Sequence, residues 1–321
     1  MNAAFEPATL AGDVHEVGRI YAEFFARLHD EAWDKPARRG SKEWTLHETT
    51  AHQCALNGAG LQSIKHTLRG EHYTFIGLDN RYKFDAYNRN GIDEHLGIPR
   101  SELCAEFLGI LDEAASIASD LRPDQAELTA RMPVYNRPVR IDEALSIIIF
   151  HAGLVHTAQV AEAAELPPLW TQLSPEFRHR VVTRTMLAFS LFYRRDIGGA
   201  LRATIAFRVD GPGGGEWYVQ VSPDSSVFGE GALECPSLVI HLRDTAVFCQ
   251  MLTGRFHPAT GLISRKLKLR GDLRLFLRMS TLFSVDARPR GADQEPLHVE
   301  RAWEGEDPWN TWRTGTGLAP G

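Results

Sequence analysis

The chain has 321 residues, room for two ordinary domains, and its 43% hydrophobic and 24% charged residues can furnish each half with a core. Lysine plus arginine (35) falls short of aspartate plus glutamate (41), and the net charge of -6 argues against a nucleic-acid binder, which usually carries a basic excess. The longest apolar run, Ala144 to Phe150, is too short to span a bilayer, and the start of the chain has neither the basic residues nor the apolar centre of a signal peptide.

The first half reads as helices. Val14, Ile20, Tyr21, Phe24, Phe25 and Leu28 recur at helical spacing. A second helix is expected from about Thr45 to Leu68, then a long polar and aromatic loop from about Gly70 to Pro99. Ser101 opens a third helix with Leu103, Phe107, Leu108, Leu111 and Ala115 on one face. A fourth starts near Ile141, with Asp142 and Glu143 suiting the positive end of its dipole, and stops at Leu166-Pro167-Pro168. Ser174-Pro175-Glu176 caps a connecting helix.

After Arg195 the period changes to two. Leu201, Ala203, Ile205, Phe207 and Val209 form one apolar strand face, and the glycine-rich turn from Asp210 to Gly215 leads to a returning strand at Trp217 to Val221. Further strands are expected at Ser237 to Leu242 and Leu262 to Arg270, and helices at Thr245 to Thr253 and Asp272 to Phe283. The tail from about Ala287 reads as irregular, with Trp303, Trp309 and Trp312 as anchors to the body. Lys266, Lys268 and Arg270 suit the solvated face of an edge strand. Cys54, Cys104, Cys235 and Cys249 form no CxxC pair, so reduced thiols in a cytoplasm are expected.

Two helical stretches carry histidines. His52 sits in the second helix, with His47 five residues earlier and so facing elsewhere. His151 and His156 sit in the fourth. Five residues turn a regular helix by about 140° from face to face, so these two cannot readily share one ion unless a one-residue bulge realigns them. Taken alone, a helical histidine is more often a core or surface residue than a ligand.

Two resemblances bear on this. Trp44-Thr45-Leu46-His47-Glu48-Thr49-Thr50-Ala51-His52 resembles the start of the second helix in the DinB superfamily, especially in mycothiol-dependent maleylpyruvate isomerases, and Asp30 to Pro36 does likewise. His156-Thr157-Ala158-Gln159 resembles the later half of the DinB His-x-x-x-His-x-Gly-Gln segment. That family places a further ligand four residues before this histidine, where this chain has Ala152, with His151 one residue earlier. In the other half, Gly254 to Ala259 and Leu267 to Leu273 resemble the end of a sterol-carrier domain, and the match runs from about Thr185 to Val285.

The resemblance implies a DinB-like four-helix bundle over residues 1–170. A sterol-carrier-like α/β domain with a mostly antiparallel sheet follows over 171–290, then an irregular tail over 291–321. It implies zinc or another divalent metal on His52, His156 and His151, with a low-molecular-weight thiol as a further cofactor. Arg202 and His47 are the candidates for catalytic work beside it. Phe189, Phe248, Met251, Phe276 and Met279 are the candidate lining of an apolar ligand pocket, although each could simply fill a core. Three readings stay open. One is a metal-dependent thiol transferase or isomerase, one a non-catalytic carrier of a hydrophobic small molecule, and one a metal-free acid–base enzyme. The expected partner is a small molecule, with no nucleic acid and no membrane span, and the protein is a monomer or dimer.

Overall fold

A computed structural model describes residues 2–36, 43–73, 75, 84–133, 135 and 138–283. The tail with its three tryptophans lies outside the described residues.

Helix α1 (Pro7–Phe25) buries Leu10, Val14, Val17, Ile20, Tyr21 and Phe24 in one stripe. Helix α2 (Leu46–Leu68) opens on a capping box. Thr45 Oγ1 accepts from the Glu48 amide at 3.1 Å, and Glu48 Oε2 accepts from the Thr45 amide at 2.9 Å. That box fixes where the helix starts, and hence the phase that turns His52 inward.

Part of the stretch expected as a loop is helix α3 (Phe84–Leu96). Its buried stripe is Tyr87, Asn88, Gly91, Ile92 and His95. Two of these are polar and one has no side chain, so the helical period does not show in the apolar letters. Gly91 lets α3 close on α2, since a Cβ there would stand 2.8 Å from that of Ala55. Helix α4 (Arg100–Asp120) packs on α1 and α2, and its Glu106 meets His95 at 3.1 Å. The turn α5 (Pro123–Ala126) and an antiparallel pair, β1 (Thr129–Ala130) with β2 (Val139–Arg140), lead to α6 (Ile141–Phe150). The chain continues through a π turn, His151–Val155, into α7 (Thr157–Ala163). Among the described residues, Ile141–Ala163 alone is long and apolar enough to cross a membrane. It is 78% buried over its most apolar window, which is the environment of a core helix.

Helix α8 (Pro175–Phe192) begins at Ser174, whose Oγ accepts from the Phe177 amide at 3.1 Å. A short helix α9 (Arg195–Gly198) precedes the sheet. Strands β3 (Ala203–Val209), β4 (Gly215–Val221), β5 (Ser226–Glu230), β6 (Leu238–Leu242) and β7 (Leu267–Gly271) lie in the order β5-β4-β3-β6-β7. Only β3 and β6 run parallel. Strand β5 was not expected from sequence, because its burial does not alternate cleanly. Helix α10 (Thr245–Leu252) is capped by Asp244, which accepts from the Val247 amide at 2.8 Å. The last strand starts later than expected. Leu262 and Ile263 belong to a short helix, α11 (Pro258–Ile263), and Arg265 at φ 57 breaks the chain direction before β7. Helix α12 (Leu273–Leu282) starts on Asp272, whose Oδ1 accepts from two amides.

Helix α8 packs on α6 on one side and on β4 and β5 on the other. Trp217 of β4 is wholly buried and donates its indole N–H to Thr183 of α8 at 2.9 Å. On the bundle side, the buried Arg184 reaches Asp13 of α1 at 2.7 Å and the Ala4 carbonyl at 2.9 Å. Arg180 grips both oxygens of the same carboxylate, Nη2 on Oδ1 and Nε 2.7 Å from Oδ2, the oxygen it shares with Arg184. Burial lowers the Arg184 pKa from its ordinary value, and Asp13 opposes that.

Asp13→Ala removes the counter-charge from a guanidinium that has no water to turn to. The expected loss is about 3–5 kcal/mol in urea denaturation. Asp13→Leu combined with Arg184→Met should recover most of it, since a packed apolar pair leaves no wholly buried charge stranded and the partly exposed Arg180 can turn to water.

Candidate functional site

His52 comes from α2, and His151 and His156 from the two ends of the π turn. The turn resolves the spacing problem seen in the sequence. A π turn bonds each residue to the one five along, so residues five apart stand on one face. His151 Nε2 lies 3.1 Å from His156 Nε2 and 3.3 Å from His52 Nε2. The three ring centroids are 4.7 to 5.2 Å apart.

Side-chain hydroxyls bond two carbonyls of the widened turn. The buried Tyr21 hydroxyl of α1 donates to the Ala152 carbonyl at 3.0 Å. Thr157 Oγ1 donates to the Leu154 carbonyl at 2.7 Å. Neither role was visible in sequence, where Tyr21 is one more apolar letter of the first helix.

Side-chain amides orient two of the rings. Asn57 Oδ1 faces His151 Nδ1 at 2.9 Å, and Gln159 Oε1 faces His156 Nδ1 at 2.5 Å. With these oxygens as acceptors, both Nδ1 atoms carry the proton and both Nε2 atoms turn a lone pair to the centre. Burial, then the neighbouring His156 and His151, holds the His52 pKa well below the usual imidazole value. Burial and then His156 do the same to His151. Burial brings His156 down to about 4, against the hydrogen bond to Gln159 that raises it. All three rings are therefore neutral near pH 7, the state a metal ion requires. Two ligands of a tetrahedral zinc at about 2.1 Å stand about 3.4 Å apart, so the spacing and donor set suit such an ion.

The cluster opens into a cavity of about 340 Å³. Trp44 packs against the His52 ring at 4.6 Å, and Leu56, Met132, Pro133, Tyr135, Ile147, Ile148, Phe150 and Val155 form most of the remaining wall. Phe192, at the end of α8, also lines it and stacks on Tyr135 at 4.8 Å.

The other sequence candidates lie elsewhere. His47 packs edge-on against Trp33 at 5.8 Å and is not part of the cavity lining. Arg202 is exposed ahead of β3. Phe189, Phe248, Met251, Phe276 and Met279 do not border this cavity either. Phe248 is wholly buried, Phe189 stacks on Phe207 at 5.7 Å, and the other three are partly buried against the same core. Beside Arg180 and Arg184, Arg255 of the second half also reaches the first. Its guanidinium holds Glu162 of α7 at 2.8 Å and Glu43 at 3.0 Å.

Tyr21→Phe should cost about 1–3 kcal/mol of stability, because it removes the buried hydroxyl that serves the Ala152 carbonyl and Gln53 Oε1. Thermal denaturation beside wild type checks this. A pH dependence also follows. Since His156 binds its proton only near pH 4 when folded but near 6.5 when unfolded, the unfolded state holds more protons between these values. The neutral cluster contributes fully above about pH 6.5, and its contribution is lost as pH falls toward 4. Metal-free protein should lose melting temperature over that window, and a His156→Gln variant should lose less.

Residues 194–284 match the SCP-2 sterol transfer family. Hydroxysteroid dehydrogenase-like protein 2 of Bos taurus is 27% identical over 120 residues, which are 37% of this chain and 29% of that protein. The Homo sapiens protein of that name is 26% identical over 113 residues, 35% of this chain and 27% of its own. The chain thus spans less than a third of the length of these relatives. The structure of the mycothiol-dependent maleylpyruvate isomerase superimposes with a TM-score of 0.51 at 14% identity, over 84% of this chain and 93% of that one. A histidine-to-alanine mutant of the same isomerase gives 0.50 over the same shares. At such identity the likeness is one of fold: the chain is built as a maleylpyruvate isomerase-type helical bundle joined to a domain that matches the SCP-2 sterol transfer family.

Proposed function

We propose that this chain is a metal-dependent enzyme of the thiol-transferase or isomerase kind, working in the cavity beside His52, His151 and His156. The observation that carries the reading is the π turn. It brings a histidine pair with the wrong spacing for a regular helix onto one face, where a third histidine meets them. A bulge costs regular hydrogen bonding, so a functional gain is its natural counterpart.

The three Nε2 atoms would hold the ion, and Asn57 and Gln159 would keep two of the rings aimed at it. A bound divalent ion would supply positive charge to stabilise a thiolate or oxyanion, and zinc, nickel and iron(II) all suit imidazole. Trp44 and the apolar wall keep water from the reacting groups. A low-molecular-weight thiol as co-substrate is supported by the mycothiol dependence of the isomerase that shares the fold. A reducing, cytoplasmic setting belongs to the same proposal, since all 4 cysteines are free. A second reading is supported by the SCP-2 match: the chain binds or carries a hydrophobic small molecule without chemistry.

Metal analysis separates the two. Wild type should take up one divalent ion per chain after dialysis against zinc. His151→Ala alone, and His52→Ala with His156→Ala, should lose it while the helical circular dichroism persists. A wild type that stays metal-free in excess zinc would leave the carrier reading standing.

A further inference from the structure

The second half presents an apolar and basic surface that the histidine cavity does not use. Of the 7 large apolar side chains exposed among the described residues, Leu262, Ile263, Leu273 and Leu277 fall within one short stretch, and Ile263 and Leu277 are 85% and 77% exposed. Residues 262–283 also carry six basic side chains against one acid, Asp272, in a chain whose net charge is -6. That acid is engaged as the cap of α12. Arg243 and Arg255, earlier in the same half, pair with carboxylates, whereas Arg265, Arg274 and Arg278 form no ion pair among the described residues.

At about 100° per residue, Leu273, Leu277, Thr281, Arg274 and Arg278 follow one another round a single arc of α12 spanning about 140°. The opposite side of the helix buries Leu275 and Leu282 and rests Phe276 and Met279 on the core. Both α11 and α12 flank the edge strand β7 on the helix-bearing side of the sheet. A Cβ at Gly261 of α11 would stand 3.1 Å from that of the buried Leu267, and Phe283 at the end of α12 meets Phe189 of α8 at 5.6 Å. Lys268 and Arg270 alternate with Leu267 and Leu269 along β7 and so point to the other side. The outward surface of these two helices is therefore leucine and isoleucine tips bordered by Arg265, Arg274 and Arg278.

We propose that this surface docks on an anionic lipid bilayer, with the aliphatic tips among the headgroups and the arginines on lipid phosphates. Charge complementarity selects the occupant. A two-fold contact with a second copy would set the same unpaired arginines against each other. A protein interface usually centres on buried aromatic anchors, and the exposed arc of α12 has none. An interfacial helix instead carries leucine beside arginine, whose aliphatic stem lies along the apolar layer while its head stays with the phosphates. Docking would place the chain where a hydrophobic small molecule is most concentrated, whether that molecule is transformed or carried.

Co-sedimentation of the full chain with lipid vesicles checks it. At low salt, phosphatidylcholine vesicles with about one-third phosphatidylglycerol should bind at least about tenfold more tightly than phosphatidylcholine alone, and added salt should weaken this. Leu273→Ser with Leu277→Ser should lower the affinity about tenfold or more, and so should Arg274→Gln with Arg278→Gln. Lys268→Gln with Arg270→Gln makes the same charge change on the other side of the sheet and should lower it less than about threefold. All of these positions are exposed, so circular dichroism and melting temperature should stay as in wild type. Equal binding to both vesicle types, or binding to neither, overturns the proposal. So does anionic binding that the leucine pair leaves untouched or that the Lys268 and Arg270 pair reduces as much as the arginine pair, since that is adsorption by charge alone. Self-association in ultracentrifugation that Leu277→Glu abolishes, without vesicle binding, overturns it in favour of a contact between copies.

Discussion

The hydrogen bond from the Tyr21 hydroxyl to the Ala152 carbonyl is the contact on which the site depends. A five-residue separation between His151 and His156 is incompatible with one face of an α-helix and compatible with one face of a π turn. The π turn leaves carbonyls without their regular partners, and in a buried helix each needs a substitute. Tyr21 supplies one from a different helix, so packing of α1 against α6 and convergence of the histidines are a single arrangement. The aromatic contacts around Tyr21, with Phe107 at 4.8 Å and Phe25 at 5.7 Å, hold that phenol in place.

Much of this was legible in the residues. The capping box at Thr45 and Glu48 announces α2, and the phase it sets carries His52 inward. The alternation along β3 announces a strand with one buried face. Legibility failed where the buried face is not apolar. Helix α3 hides its stripe in Asn88, Gly91 and His95, and β5 has no clean alternation. The π turn was visible only as a conflict between two spacings, because backbone hydrogen bonding leaves no letter in the sequence. Apolar residues in the second half were easy to find, but their identity does not say whether they line a space or fill one. Phe248 fills one, whereas Phe192, another phenylalanine of the same half, lines the histidine cavity.

Asn57, which orients the His151 ring, was hard to see for another reason. It sits in a helix whose other surface is solvated, where asparagine carries no special weight. Only burial singles it out, and burial is a property of the fold.

Helix α8 has a consequence for how the chain can be divided. The SCP-2 match begins at residue 194, directly after α8 ends at Phe192. Yet α8 gives Arg184 to Asp13, Thr183 to Trp217 and Phe192 to the histidine cavity. One of its faces packs on α6 and another on the sheet, within one continuous core of buried residues. A boundary drawn by sequence similarity therefore falls beside a helix that both sides share, and neither side can be exchanged as a module, since whichever departs without α8 leaves that core open.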